Sequence, residues 1–288
     1  MTGTSPRRGL RHRLADPDFP WWLAALAVAA LGIALVLALD SSWRQIATIL
    51  AAGLGTTLAV TVLAFAGAAA LGLFVALAGR ARNRVIRNGA RLYVELVRGV
   101  PLLVLLFWIA FVGAPAFVTS WNAVTAPLSK AGLLAPLTVR DVSLMARAVI
   151  ALVIAYSAFL AEIFRAGIEA VPEGQIEAAK ALGLGSFARL RLIVLPQAVR
   201  TVLPPLANDL VSMVKDSSLV SVLGVADITQ MGKVYASGSF RFFETYSVLA
   251  YLYLLVTVSV SLAARALERR LARGRRGREA QPLRSVPG

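Results

Sequence analysis

The sequence predicts an all-α polytopic membrane protein with about six transmembrane helices, and three observations predict it. Mean hydropathy is +0.73, with 58% apolar and only 16% charged residues. A soluble chain of this size needs a charged surface that such a composition does not supply. Several apolar stretches reach the roughly 20 residues that a helix needs to cross the hydrocarbon core. Finally, Arg and Lys collect in some of the intervening segments and are scarce in others, as they do when cytoplasmic loops retain positive charge.

The same sorting argues against a nucleic-acid role for the net charge of +15, because the basic residues form no single face with interleaved aromatics. With no cysteine, disulfides, thiolate metal sites and cysteine nucleophiles are excluded. The single histidine, His12, stands among Arg7, Arg8, Arg11 and Arg13 and reads as a solvated tail residue, so neither a metal centre nor a catalytic residue is expected.

The first crossing, Trp21 to Leu39, follows this basic segment. It is longer than a usual signal-peptide core, and Leu37 to Ser41 make a poor cleavage site, so it reads as an uncleaved anchor. Ile46 to Ala78 carries no charge but is too long for one upright crossing. Gly53, Gly55, Thr56 and Thr57 divide it into an interfacial lead-in, anchored by Trp43 and Arg44, and a crossing from about Leu58. Within that crossing Gly67, Ala68, Ala69, Ala70 and Gly72 permit close approach of another helix. Further crossings are expected at Val100 to Val118, Leu144 to Phe164, Pro204 to about Gly224, and Tyr246 to Ala264. With both termini cytoplasmic, the loop from Arg80 to Arg91, the segment Arg165 to Arg200 and the basic tail all fall inside.

The longest polar segment, Glu162 to Pro205, reads as two short helices. Pro172 and Glu173 suit a helix start and Gly183 a C-terminal cap, while Ser186 would cap a second helix ended by Pro196. A helix as short as Glu173 to Leu182 is marginal alone in water and needs tertiary contacts. Headgroup binding is one reading of the second helix, with Arg189 and Arg191 facing phosphates. For the first helix, Ala178, Ala179, Ala181 and Leu182 make a smooth face fit for a protein groove, and Glu173 and Glu177 disfavour anionic lipid.

These residues carry a resemblance. EAAKALG at 177–183, preceded by GQ at 174–175 and followed by LPQA at 195–198, resembles the cytoplasmic EAA loop of bacterial ABC-importer permeases. YVELVRGVPLL at 93–103, AEIFRAGI at 161–168 and KDSSL at 215–219 resemble the polar amino acid permeases in particular, in the same order. Phe159 and Ser217 stand where many of these have Tyr and Thr. The resemblance implies a five-helix type I permease domain at 50–268 with its EAA loop at 165–201. It leaves 1–49 as basic N-terminus, first helix and short link, and 269–288 as a basic cytoplasmic tail. It further implies that Glu173, Gly174, Gln175, Glu177, Ala178, Ala179, Leu182 and Gly183 form a coupling helix seated on a cytoplasmic ATPase. The other partners implied are an extracytoplasmic amino-acid-binding protein and a second permease copy or related permease. The chain contains no GxxxxGK[ST] phosphate loop, so ATP and Mg are expected on the separate ATPase.

Ionisable groups at membrane depth are functional candidates by default. Asn208, Asp209, Ser212, Lys215 and Asp216 cluster in the fifth crossing. Asn208, Ser212 and Lys215 share one helical face, with Asp209 and Asp216 beside it. The stripe either lines the path of a zwitterionic amino acid or pairs internally to hold the bundle. Glu95 with Arg98, and Glu162 with Arg165, are expected as local pairs. The rival functions are an ion-gradient-driven secondary transporter, which would show inverted repeats and broken helices, and a non-transporting membrane scaffold.

Overall fold

The computed structural model describes residues 21–279, with side chains at 25 and from 27 to 268, so His12 and its neighbouring arginines lie outside the described residues, as do the tail side chains. Helix α1, Trp21–Leu39, is apolar on all sides, as a lipid-facing crossing must be. Asp40 ends it and caps α2, Ser41–Ala51, by accepting from the Ser42 N–H at 2.7 Å. Arg44 turns back and donates to the carbonyls of Leu37 and Ala38 at 3.3 and 2.6 Å, satisfying the open end of α1. The lead-in expected here is therefore a true helix, and α3, Leu54–Ala78, starts four residues earlier than predicted.

The centre of the bundle is the pairing of α3 with α7, Leu144–Glu169. Ala64, Ala68, Ala148, Ala151 and Ala155 are buried between and around them. At Gly72 a Cβ would stand 2.9 Å from the Ser157 carbonyl oxygen, so the backbones touch there as the small residues predicted.

The arginine-rich loop is a helix. α4, Arg84–Gly99, is capped by Asn83, whose side chain accepts from the Val85 N–H at 2.8 Å. Its Val94 packs against Val75, Ala76 and Ala161, and extended Val100 and Pro101 end it. The third crossing runs through α5, Leu102–Trp108, a π-helical turn, Ile109–Gly113, and α6, Ala114–Lys130. It was expected to stop near Val118 but continues for another three turns. The Asn122 amide then clamps the returning chain, accepting from the Leu137 N–H and donating to its carbonyl at 2.9 and 2.8 Å. A capping box follows, in which the Thr138 backbone N–H and hydroxyl both donate to Asp141 and hold its carboxyl below the usual range.

After α7 come α8, Glu173–Ala181, and α9, Ser186–Arg189. A second π-helical turn, Leu190–Val194, leads into α10, Leu195–Asp216. Pro196 does not end a helix here: it sits in the first turn of α10, just after the π turn has shifted the hydrogen-bond ladder, where its missing N–H costs nothing. The expected second short helix is thus an extension of the fifth crossing. Ser186 is not its cap, having no backbone bond there; its hydroxyl accepts from Arg189 at 3.1 Å, and Arg189 also donates to the Leu184 carbonyl. A 3₁₀ stretch, Ser217–Leu223, then α11, Ile228–Ser239, and α12, Phe242–Glu279, complete the chain. Among the described residues five helical stretches are long and apolar enough to cross a membrane, and α1 adds a shorter apolar one, so the polytopic all-α fold is as expected.

Candidate coupling helix and membrane cleft

α8 leaves the bundle through a short bridge. α7 closes at Glu169, Val171 is buried, and Pro172 opens the new helix with its carbonyl accepting from the Gln175 N–H. Glu173 occupies the positive first turn and Lys180 the negative last turn. At the far end the Gly183 N–H bonds the Lys180 carbonyl at 2.9 Å, and the Leu184 N–H bonds that of Ala179 at 3.0 Å. This is a Schellman termination, and Gly183 has the positive φ of 75° that it requires. The cap predicted at Gly183 is therefore present.

Ala179 turns inward, and Gln175 accepts from Gln197 of α10 at 2.7 Å, which ties α8 to the fifth crossing. Glu173, Gly174, Gln175, Glu177, Ala178, Leu182 and Gly183 are exposed. Leu182 is 80% exposed and Phe187 74%, so the tip of this segment carries bare apolar surface beyond the polar face of α8.

The five polar residues of α10 do not share one site. Asp209, Ser212 and Asp216 line a cleft of about 260 Å³ with Tyr156 and Phe159 of α7. The Tyr156 hydroxyl donates to Asp216 at 2.7 Å. Asp209 Oδ2 is buried and meets no hydrogen-bonding group of the protein among the described residues. Asn208 instead faces a recess with Ser261, Arg265 and Glu268, and Lys215 one with Thr229, Tyr246 and Tyr253. The spacing puts Ser212 on the face of Asn208 and Lys215, but packing against α7 joins it to the aspartates instead.

Of the two expected local pairs, Glu162 and Arg165 meet at 2.5 Å, with Arg165 also reaching Glu169 at 2.7 Å. Glu95 and Arg98 form no ion pair; the Arg98 guanidinium lies over the Phe159 ring, 5.6 Å from its centroid. Phe159 thereby links this cation to the cleft. Tyr156 was missed because one tyrosine in an apolar crossing carries no pattern. Arg147, only 8% exposed, was missed too; it donates to the carbonyls of Val142, Ala110 and Val139. Ala110 lies in the first π turn, so Arg147 stabilises that irregularity.

Comparison with known proteins meets this geometry from outside. Residues 68–273 match the family model of the binding-protein-dependent transport system inner membrane component. The chain is 34% identical over 202 residues to the probable amino-acid permease protein YxeN of Bacillus subtilis (strain 168), covering 70% of this chain and 82% of that one. It is 33% identical over 219 residues to the glutamine transport system permease protein GlnP of Escherichia coli (strain K12), covering 76% and 91%. A solved structure described as an amino acid ABC transporter with histidines superimposes with a TM-score of 0.65 at 35% identity, covering 80% of this chain and 97% of that one. The fold, the ordered motifs and these matches agree: the chain belongs to the binding-protein-dependent transport system inner membrane component family.

Proposed function

We propose that this chain is the membrane-spanning permease subunit of an ATP-binding-cassette importer that carries polar amino acids across the bacterial plasma membrane. It is a transport subunit rather than an enzyme, and its family works with ATPase and binding-protein partners. The observation that carries the reading is α8: a nine-residue helix, opened by Pro172 and capped at its C-terminal end by Gly183, exposed along its polar face and tied back through Gln197. Such a helix transmits force as a unit to α10 and α7. A cytoplasmic ATPase that holds Glu173, Gln175, Glu177 and Leu182 would move the crossings when ATP and Mg close its subunits.

The substrate passes along α10. In the cleft Asp209 and Asp216 offer acceptors for an ammonium group. Asn208 and Lys215 open on flanking recesses, where a second permease copy or a related permease would cover them. Both termini lie in the cytoplasm, which keeps every strongly basic segment on one side. The family leaves no support for an ion-gradient transporter or a scaffold. Uptake of labelled amino acids by the reconstituted complex, with and without ATP and binding protein, tests the proposal. Uptake that proceeds without ATP, or that ignores amino acids, would refute it.

A further inference from the structure

A second and larger cavity, about 520 Å³, opens where the ends of α3, α4 and α7 meet. Its floor is apolar, made by Val75, Ala76, Val94 and Ala161. Its rim is ionic, with Arg80, Arg91, Arg98 and Arg165 against Glu95, Glu162 and Glu169. Arg165 takes both Glu162 and Glu169, and Arg80, just beyond α3, reaches Glu169 at 3.4 Å. The Arg98 guanidinium lies over the Phe159 ring. Arg91, like Arg98, meets no carboxylate within ion-pair distance among the described residues, and the rim holds one more arginine than glutamate.

The outer side of α4 is apolar, with Val85, Leu92 and Leu96 exposed. The helix thus lies as an amphipathic element along the membrane edge, its arginines at headgroup level. A soluble anion would use the rim and leave the floor bare. A phospholipid uses both, and the leaflet on the basic side is the anionic one.

We propose that this cleft holds one anionic phospholipid of the cytoplasmic leaflet, with its phosphate on Arg91 and Arg80 and the start of an acyl chain against Val75, Ala76 and Val94. The surplus of a single positive charge matches a monoanionic headgroup such as phosphatidylglycerol. The site is separate from the transport cleft and does not depend on what is transported; its leaflet rests on the cytoplasmic placement of the termini.

Native mass spectrometry of the full chain in detergent, with added phosphatidylglycerol, phosphatidylcholine or inorganic phosphate, tests this. One phosphatidylglycerol per chain should be retained in preference to phosphatidylcholine, and inorganic phosphate should not displace it. Arg91→Gln breaks no ion pair and should weaken retention about fivefold, the worth of one arginine beside an anionic headgroup. Arg84→Gln, on the same helix but outside the cleft, should leave it unchanged. Equal retention of both lipids, displacement by phosphate, or equal effects of the two substitutions would each overturn the proposal.

Discussion

Gly53 and Asp209 show how much a single residue decides in this bundle. A Cβ on Gly53 would overlap backbone atoms of Asp227 and Ile228, and the Ile228 N–H donates to the Thr57 hydroxyl at 3.2 Å. Asp227 is fully buried, caps α11 through the Gln230 N–H at 2.8 Å and receives the Tyr253 hydroxyl. Because backbone rather than a flexible side chain must give way, Gly53→Ala should destabilise the protein by about 1–3 kcal/mol. An unchanged melting temperature in detergent would contradict that packing. At Asp209 the argument is chemical. Asp209→Asn keeps the shape but removes the charge from the orphaned acceptor, and uptake should fall about tenfold, the worth of one charge-assisted hydrogen bond. Lys215→Gln, outside that cleft, should reduce uptake less; equal losses would return both residues to a single path.

At the scale of elements, irregular helix turns do much of the positioning. Two π turns let the third and fifth crossings pass through without a break, one anchored by Arg147 and the other taking up Pro196. Neither turn has a residue pattern that a periodicity argument detects, which is why Pro196 reads as a terminator in the sequence. Gly183, in contrast, was legible, since a glycine after an apolar and charged helical run marks a left-handed cap. Gly183→Pro cannot adopt φ near +75° and should cost about 1 kcal/mol or more at this cap. Transport-coupled ATP hydrolysis should drop sharply while membrane insertion, followed by membrane fractionation, stays normal. Undiminished coupling would remove α8 from the mechanism.

For the whole molecule, sidedness is the property on which the rest depends. The chain has no cysteine, so single introduced cysteines report without background. A cysteine at Leu182 should react with a membrane-impermeant maleimide only in inverted vesicles, and one at Leu133 only in intact cells; both positions are exposed. The reverse pattern would invert the proposed topology.

The sequence by itself determined that the chain lives in a bilayer, roughly where it crosses, which segments are basic, and where α8 begins and ends. Those properties follow from hydropathy, charge and capping, which depend on neighbours along the chain. Only the tertiary structure decided that Ser212 joins Asp209 and Asp216 beside Tyr156, that Arg98 leaves Glu95 for Phe159, and that the loop from Arg84 is a helix walling a cavity. The physical reason is that two helical faces roughly 80° apart, at 3.6 residues per turn, are equally polar in the sequence, and which one is buried depends on the helix packed against it.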